Sequence, residues 1–477
     1  QSQTTTHGSR SQQDTHPHNH TRMPAPSVPP ATPLAMTLSL ARLPAQPPSA
    51  QLAQMAAAYA AKITASAIFV SGRSLQSVLD QELAPTRPIE ILIKPLLRFA
   101  IDRDGKSVTC RIGSAKATAR MHAHLGCSLV ASEDAPSDAL HQFTTQPSRT
   151  TPAARAPGLR HWPFTEDVSN EPSTGIQYDR LKQALDHAFA ERDGKHRIHT
   201  RAIVVIHKGQ LVAERYADGF DKDMPLPGWS MTKSLTNALI GMRVHDGKLD
   251  LKAQISTTAD ASTFAEPTVV DLLTMTAGLS WNEDYDDPNS DAMRMLFQSA
   301  DHASVYSAQA PETEPGREFV YASGATNLLC ELLRKSFPDD QAYWGYPSRL
   351  FSQLGMQSAV LETDPGGTFV GSSYGYASAR DWARLGLLFQ QDGVFSGQRL
   401  LPEGWVRSST TASTASRGHY GYQIWLNAEP GSGEPAARKW PDLPADLFSM
   451  DGHEGQYCVV SPSAELVLGL PPSNLPR

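Results

Sequence analysis

Gly228-Trp229-Ser230-Met231-Thr232-Lys233, running on through Ser234 to Asp246, is the stretch whose reading decides the fold. Ser230 and Lys233 stand three apart and share one face of a helix. Behind them Leu235, Ala238, Leu239 and Met242 recur at helical spacing, which predicts a helix buried on that side. Gly247, in Asp246-Gly247-Lys248, predicts its stop. A serine hydroxyl is inert at its ordinary pKa. A nearby amine pushed towards neutrality by burial can take its proton, and the positive end of a helix favours the alkoxide and the oxyanion after it. Ser-x-x-Lys is a short pattern that chance produces in a serine-rich chain, yet Lys233 is the only lysine here with a serine three residues before it.

Length and composition bound the rest. A chain of 477 residues has room for one large domain and a smaller one, and 40% hydrophobic residues supply a sizeable core. The net charge of −7, without a basic run or a basic-aromatic stripe, argues against nucleic acid. No stretch reads as long and apolar enough for a membrane span. The chain begins at Gln1, as a processed chain, a fragment or a mis-set start would, with Met23 and Met36 as alternative starts. Its four cysteines share no metal-ligand spacing: Cys330 and Cys458 read as core thiols, and Cys110 and Cys127 are left free to pair or not.

Taken in order, residues 1–49 read as a disordered tail, rich in Gln, Ser, Thr, His and Pro over residues 1–33. Its His16-Pro17-His18-Asn19-His20 reads as solvated rather than as a metal site. Residues 50–133 read as a small α+β unit carrying no chemistry. Its helices are Leu52–Ile68 and Ser74–Leu83 and its strands Ile89–Ile93, Leu96–Ile101 and Ser107–Ile112. Residues 134–175, rich in Pro, Ser and Thr, with Trp162-Pro163-Phe164 inside, read as a linker.

Residues 176–477 form the main domain. Tyr178–Arg192 reads as an amphipathic helix, and Ala202–Ile206 and Gln210–Tyr216 as a hairpin about Lys208-Gly209. Val269–Met275 and Ser378–Gln391 read as helices, and His419–Leu426, Tyr457–Ser461 and Glu465–Leu470 as strands. The expected core is therefore an antiparallel five-stranded sheet, two strands early and three late, flanked by helices. Trp281–Asp291 is dense in carboxylates and aromatics, and such a loop beside a nucleophile shapes a pocket or is simply solvated. Tyr321 and Ser323 follow the turn Pro315-Gly316 and open a buried helix. A tyrosine fixed there shuttles a proton provided a neighbouring ammonium lowers its pKa.

Ser-x-x-Lys, then Tyr-x-Ser, then a basic residue-x-Gly on a late strand (Gly452-His453-Glu454-Gly455-Gln456) resembles the serine β-lactamase/penicillin-binding-protein superfamily. The likeness is to its class C and esterase side, and closest in look to the 6-aminohexanoate-dimer hydrolases. It covers about residues 176–470 and includes His245–Asp250, Leu272–Leu279 and Leu354-Gly355-Met356. The resemblance implies a β-lactamase/transpeptidase-like α/β fold with a mostly helical second lobe. It implies Ser230 as acylated nucleophile, Lys233 as holder of the proton network and Tyr321 as general base and then acid. Ser323 takes the family's Asn or Ser position, His453 the place of the basic residue, and the backbone N–H groups of Ser230 and Gln456 form the oxyanion hole. Trp281, Glu283, Tyr285, Asp291, Tyr374 and Trp425 are the candidate pocket wall. No metal or organic cofactor is implied, the partner is a small amide or ester, and the compartment is the bacterial envelope or periplasm, or the cytoplasm.

Two departures from the family pattern matter. Histidine at 453 is only partly charged near neutrality, which disfavours β-lactams and favours short linear amides or esters. The strand Glu465–Leu470 runs into Pro471–Arg477, which cannot form the family's terminal helix, so either the N-terminal unit covers that face or the chain is truncated or frame-shifted. A D,D-peptidase or β-lactamase and a catalytically silent binding relative are the rival readings.

Overall fold

The computed structural model describes residues 49–84, 93–131, 140, 172–191, 198–257, 264–427 and 438–470. The expected tail before Ser49, residues 89–92 of an expected strand, nearly all of the 134–175 linker and Pro471–Arg477 lie outside them.

In the N-terminal unit Ser49 accepts the Leu52 N–H and starts helix α1 (Ala50–Phe69), and Ser74 likewise caps α2 (Leu75–Asp80). Strands β1 (Arg98–Asp102), β2 (Ser107–Ile112), β3 (Ala115–His122) and β4 (Gly126–Leu129) form an antiparallel sheet in chain order. The alanines of α1 let it lie close across β2, β3 and β4. The expected strand Leu96–Ile101 is shifted to β1, because Pro95 sits in a single 3₁₀ turn at Lys94–Leu96. β3 and β4 are additions to the expected unit: Ala115-Lys116-Ala117-Thr118-Ala119 has Thr118 as its one β-branched residue and no aromatic to mark a strand. One expectation is corrected here. α1 has 20 residues and a mean hydropathy of 1.2, long and apolar enough to cross a membrane by length and composition, and in the fold most of it is buried.

The main domain continues with α3 (Tyr178–Phe189), β5 (Ala202–His207), β6 (Gln210–Tyr216), β7 (Leu226–Pro227), α4 (Met231–His245), α5 (Val269–Leu273), α6 (Asp291–Gln298) and α7 (His302–Ser307). Then come α8 (Ser323–Lys335), α9 (Asp340–Leu354), β8 (Val360–Leu361), β9 (Gly375–Ala377), α10 (Ala379–Gln390), the short pair β10 (Val394–Phe395) and β11 (Gln398–Arg399), and α11 (Trp405–Ser409). β12 (Trp425–Leu426), β13 (Phe448–Gly452), β14 (Gln456–Ser461) and β15 (Leu466–Leu470) follow.

The main sheet is antiparallel in the order β12-β13-β14-β15-β5-β6, so the last strand pairs with the first of the domain. It has six strands rather than five. β13 is the addition; its Ser449, Asp451 and Gly452 weaken the strand signal. Of the expected strand His419–Leu426 only Trp425-Leu426 joins the sheet. Gln423 turns the chain with φ +55°, and its amide donates to the Leu272 and Leu273 carbonyls at the end of α5.

Helices cover both faces of this sheet. Leu181, Leu185 and Phe189 of α3 meet Ile203, Val205, Leu466 and Leu468. α10 packs over β14, β15 and β5, closely because of Gly386, where a Cβ would stand 2.7 Å from Cys458 Sγ. All four thiols are buried and unpaired, Cys110 and Cys127 included. α4 runs through the core with every residue from Met231 to Met242 buried, not one stripe alone. Its polar side chains are satisfied: Ser234 donates to Gln423 O, Thr236 to Gly371 O, Asn237 to Tyr422 O, and the Gly375 N–H donates to Thr232 Oγ1.

Candidate active site

Ser230 sits one residue before α4, on a turn that the surrounding backbone clamps. The Gly228 N–H donates to Gly375 O at 2.7 Å, and the Met231 and Thr232 N–H groups donate back to Gly228 O and Trp229 O. Between them Trp229 has φ +46°, a conformation that costs a bulky residue about 1–3 kcal/mol and persists only where its neighbours over-determine it. Gly228 is needed here: a Cβ on it would lie 2.2 Å from the Trp382 ring. The Ser230 side chain makes no capping bond to the helix, and its hydroxyl accepts from Lys233 Nζ at 3.0 Å.

Lys233 is 1% exposed. Its Nζ donates also to Ser323 Oγ at 3.0 Å and to the Ser372 carbonyl at 3.2 Å, and lies 4.7 Å from the centre of the Tyr321 ring. Burial pulls its pKa down to about 8, with Glu283 opposing. Tyr321 goes the other way. Burial first and Glu283 second hold its hydroxyl far above the ordinary tyrosine value, while hydrogen bonds with Ser230 and Trp425 pull down. The ammonium therefore faces the Tyr321 ring without bringing its hydroxyl low. The proton acceptor nearest neutrality beside Ser230 is the lysine.

Glu283 organises the other side. It accepts from the Trp281 indole N–H, the Tyr285 hydroxyl at 2.8 Å, the Ser323 hydroxyl and the Ser323 N–H at 2.9 Å. Ser323 thus links the Glu283 carboxylate to the Lys233 ammonium. Trp425 stacks on Tyr321 with ring centres 5.3 Å apart, and Tyr285 and Trp229 both pack against His453. His453 lies in a short 3₁₀ turn between β13 and β14, held against the serine turn by Gly452, whose Cβ would stand 2.4 Å from Gly228 O. Gln456 begins β14 directly after that turn.

Two expected wall residues are placed elsewhere. Asp291 accepts from the Asn282 N–H, Arg294 and Gln309, closing the 282–291 loop on itself at the start of α6. Tyr374 is fully buried behind the wall, with Lys62 of α1 3.8 Å from its ring centre. The Ser372 carbonyl was not expected at the lysine. Gly371-Ser372-Ser373 marks a turn, but nothing in it tells which carbonyl points at α4. Lys439 and Asp451 form a further pair at this end of the sheet, with Lys439 6.0 Å from the Trp425 ring centre. Among the described residues no cluster of three metal-ligating side chains occurs.

The beta-lactamase family model matches residues 185–470. The 6-aminohexanoate-dimer hydrolase of Paenarthrobacter ureafaciens is 26% identical over 222 residues, 44% of this chain and 56% of that protein. The chain thus spans about half the length of this curated relative. A Bacillus anthracis structure assigned as a 6-aminohexanoate-dimer hydrolase is 22% identical and covers 61% of this chain and 75% of its own, with a TM-score of 0.45. A penicillin-binding-protein homologue from Caulobacter crescentus is 17% identical and covers 65% and 95%, also with a TM-score of 0.45. The family match spans well over half the chain, and the chain belongs to the beta-lactamase family, whose fold it has.

Proposed function

We propose that the protein is a serine hydrolase that cleaves small linear amides or esters through an acyl-enzyme on Ser230. One observation carries this reading: a buried lysine amine, with its pKa near 8, donates to the Ser230 hydroxyl at 3.0 Å from one turn along the same helix. Neutral Lys233 takes the Ser230 proton as Oγ attacks the carbonyl carbon. The tetrahedral oxyanion is met by the N–H groups of Ser230 and Gln456, a donor pair of which each is worth about 10²–10³ in rate. Tyr321, neutral because its pKa is raised, gives its proton to the departing amine or alkoxide and recovers one from Lys233 through water. Water then attacks the acyl carbon, loses its proton to the same network and releases the acid.

The similarity to the Paenarthrobacter enzyme supports 6-aminohexanoate-like oligomers as the amide substrate class, with carboxylesters beside them as the ester class. In the pocket Glu283 is saturated by four donors, so its part is to hold Ser323 and the lysine charge rather than to meet a substrate amine. His453, Trp425, Trp281 and Tyr285 are left as the wall. A partly charged histidine in place of a lysine weighs against a carboxylate-bearing β-lactam or stem peptide.

The test is intact mass after exposure to a fluorophosphonate, on wild type and Ser230→Ala in parallel. One adduct on wild type and none on the variant is expected, followed by turnover of p-nitrophenyl esters or linear amides. An unreactive, folded wild type would mean a silent relative, and faster acylation by a chromogenic cephalosporin than by esters would favour the β-lactamase reading.

A further inference from the structure

The N-terminal unit meets the main domain at a buried charge cluster. Lys62 of α1 and Glu362, just after β8, are 1% and 0% exposed at the side chain and form an ion pair at 2.5 Å. Ser66, one turn along α1, accepts from Lys62 at 3.0 Å and donates to Glu362. The Cys127 N–H of β4 donates to Glu362 Oε1 at 2.7 Å. A buried pair of charges is costly to assemble and survives only with this kind of complete partnering. The hydrolysis proposed above uses none of these groups.

Their connection to Lys233 runs through backbone. The Glu362 N–H donates to Tyr374 O, and the Glu362 carbonyl accepts from the Val370 N–H, so Glu362 pins both ends of the 370–374 turn. Lys62 also covers the Tyr374 ring of that turn. The middle of the turn faces α4: Gly371 O accepts from Thr236, and Ser372 O accepts from Lys233 Nζ. One residue thus holds the N-terminal unit by its side chain and the lysine's carbonyl acceptor by its main chain.

Building on the proposed roles of Ser230 and Lys233, we infer that Lys62 and Glu362 are positioning residues for Lys233, through which the N-terminal unit sets the Ser372 carbonyl against the catalytic amine. A displaced carbonyl removes an acceptor that favours the ammonium, so the amine loses its proton at lower pH. The groups facing Lys233 are Ser230, Tyr321, Ser323 and, through Ser323, Glu283 and Tyr285. Those facing Lys62 and Glu362 are Ser66, Cys127, Tyr374 and Tyr376, with His302 near Lys62. His302 is held neutral by burial, its pKa down to about 3, and stays out of the window.

The experiment follows the Lys233 Cε resonance of the full chain labelled with ¹³C-lysine, assigned by its loss in Lys233→Arg, through a pH titration. Fluorophosphonate acylation rates are taken over the same range. The wild-type midpoint is expected near 8. Lys62→Met is expected to lower it by about one pH unit and to move the acid limb of acylation with it. The neutral pair Lys62→Met with Glu362→Gln, which keeps an acceptor for Cys127, is expected to return the midpoint towards wild type. An unchanged midpoint in folded Lys62→Met overturns the inference, as does a midpoint that the double variant leaves displaced. Should Lys62→Met not fold, Glu362→Gln alone is read the same way. The resonance reports Lys233 whether or not Ser230 is acylated, so failure of the hydrolase reading appears separately, as an unlabelled wild type.

Discussion

Lys233 shows how one residue can serve chemistry at the expense of the fold. The unfolded chain titrates this lysine at 10.5 and the folded chain at about 8. Below pH 8 both states hold the proton, and above 10.5 neither does. Between them the unfolded state holds more protons, so raising the pH through that window favours the folded state. The gain amounts to at most about 3 kcal/mol. Lys233→Met removes this contribution. Urea unfolding at pH 7.5 and pH 10 should therefore show wild type gaining on Lys233→Met as pH rises, while the variant loses acylation by about 10²–10⁴ at every pH. An equal pH slope in the two proteins would mean that Lys233 is not held partly neutral. The same burial explains why Tyr321 is read as an acid rather than a tyrosinate base. The expectation of a low tyrosine pKa required an ammonium at its hydroxyl, whereas Lys233 lies against its ring and Glu283 is close.

Among the elements, α10 and the sheet meet at Gly386, and this contact fixes the late strands that carry the His453 turn. A Cβ there would come within 2.7 Å of both Cys458 Sγ and Val467 Cγ1, in a core with no slack. Gly386→Ala is expected to destabilise by about 1–3 kcal/mol, the usual cost of overpacking. Gly386→Ala combined with Val467→Ala should recover part of this in thermal melts; no recovery would place the strain elsewhere. Elements of this kind were legible in different degrees. α4, β5 and β6 announce themselves by apolar periodicity and by the Lys208-Gly209 turn, and α4 with the turn before it holds the lysine and serine. β3 was not legible because its pleat is filled by alanines, which favour helix over strand. β13 was not because its polar residues serve the site end of the sheet rather than the core. The pocket wall was half legible. Trp425 and Tyr285 come from the acid-and-aromatic pattern, but which way the chain turns Asp291 and Tyr374 does not: Asn282 and Arg294 hold Asp291 within its own loop, and Lys62, distant in sequence, covers Tyr374.

At the scale of the molecule, the N-terminal unit and the hydrolase domain share more than one buried charge cluster, and the described residues belong to one compact unit. Besides Lys62 and Glu362, Glu82 after α2 receives both Arg73 of its own unit and Arg201, which leads into β5; the Arg201 pair is 2.6 Å. Phe220 lies 5.3 Å from the Arg73 guanidinium and 5.4 Å from that of Arg201, and Arg201 also donates to Gln81 at 2.9 Å. One carboxylate thus pairs with two guanidinium groups that are almost without solvent. Glu82→Gln leaves both cations buried without their paired carboxylate, which costs about 3–5 kcal/mol. The consequence depends on cooperativity. If the two parts unfold as one, the denaturant midpoint of far-UV circular dichroism and the midpoint for loss of Ser230 labelling shift downward together in Glu82→Gln. If the N-terminal unit is an independent module, the labelling midpoint stays at its wild-type value while part of the dichroism is lost early. The two clusters lie at separate contacts, with α1 wedged against Phe297 through Tyr59 at 5.3 Å, and breaking one leaves the other holding. A joint shift is therefore expected, with labelling and dichroism superimposable in wild type and variant alike, and a split transition in Glu82→Gln would show that the contact through Arg201 alone couples the two parts.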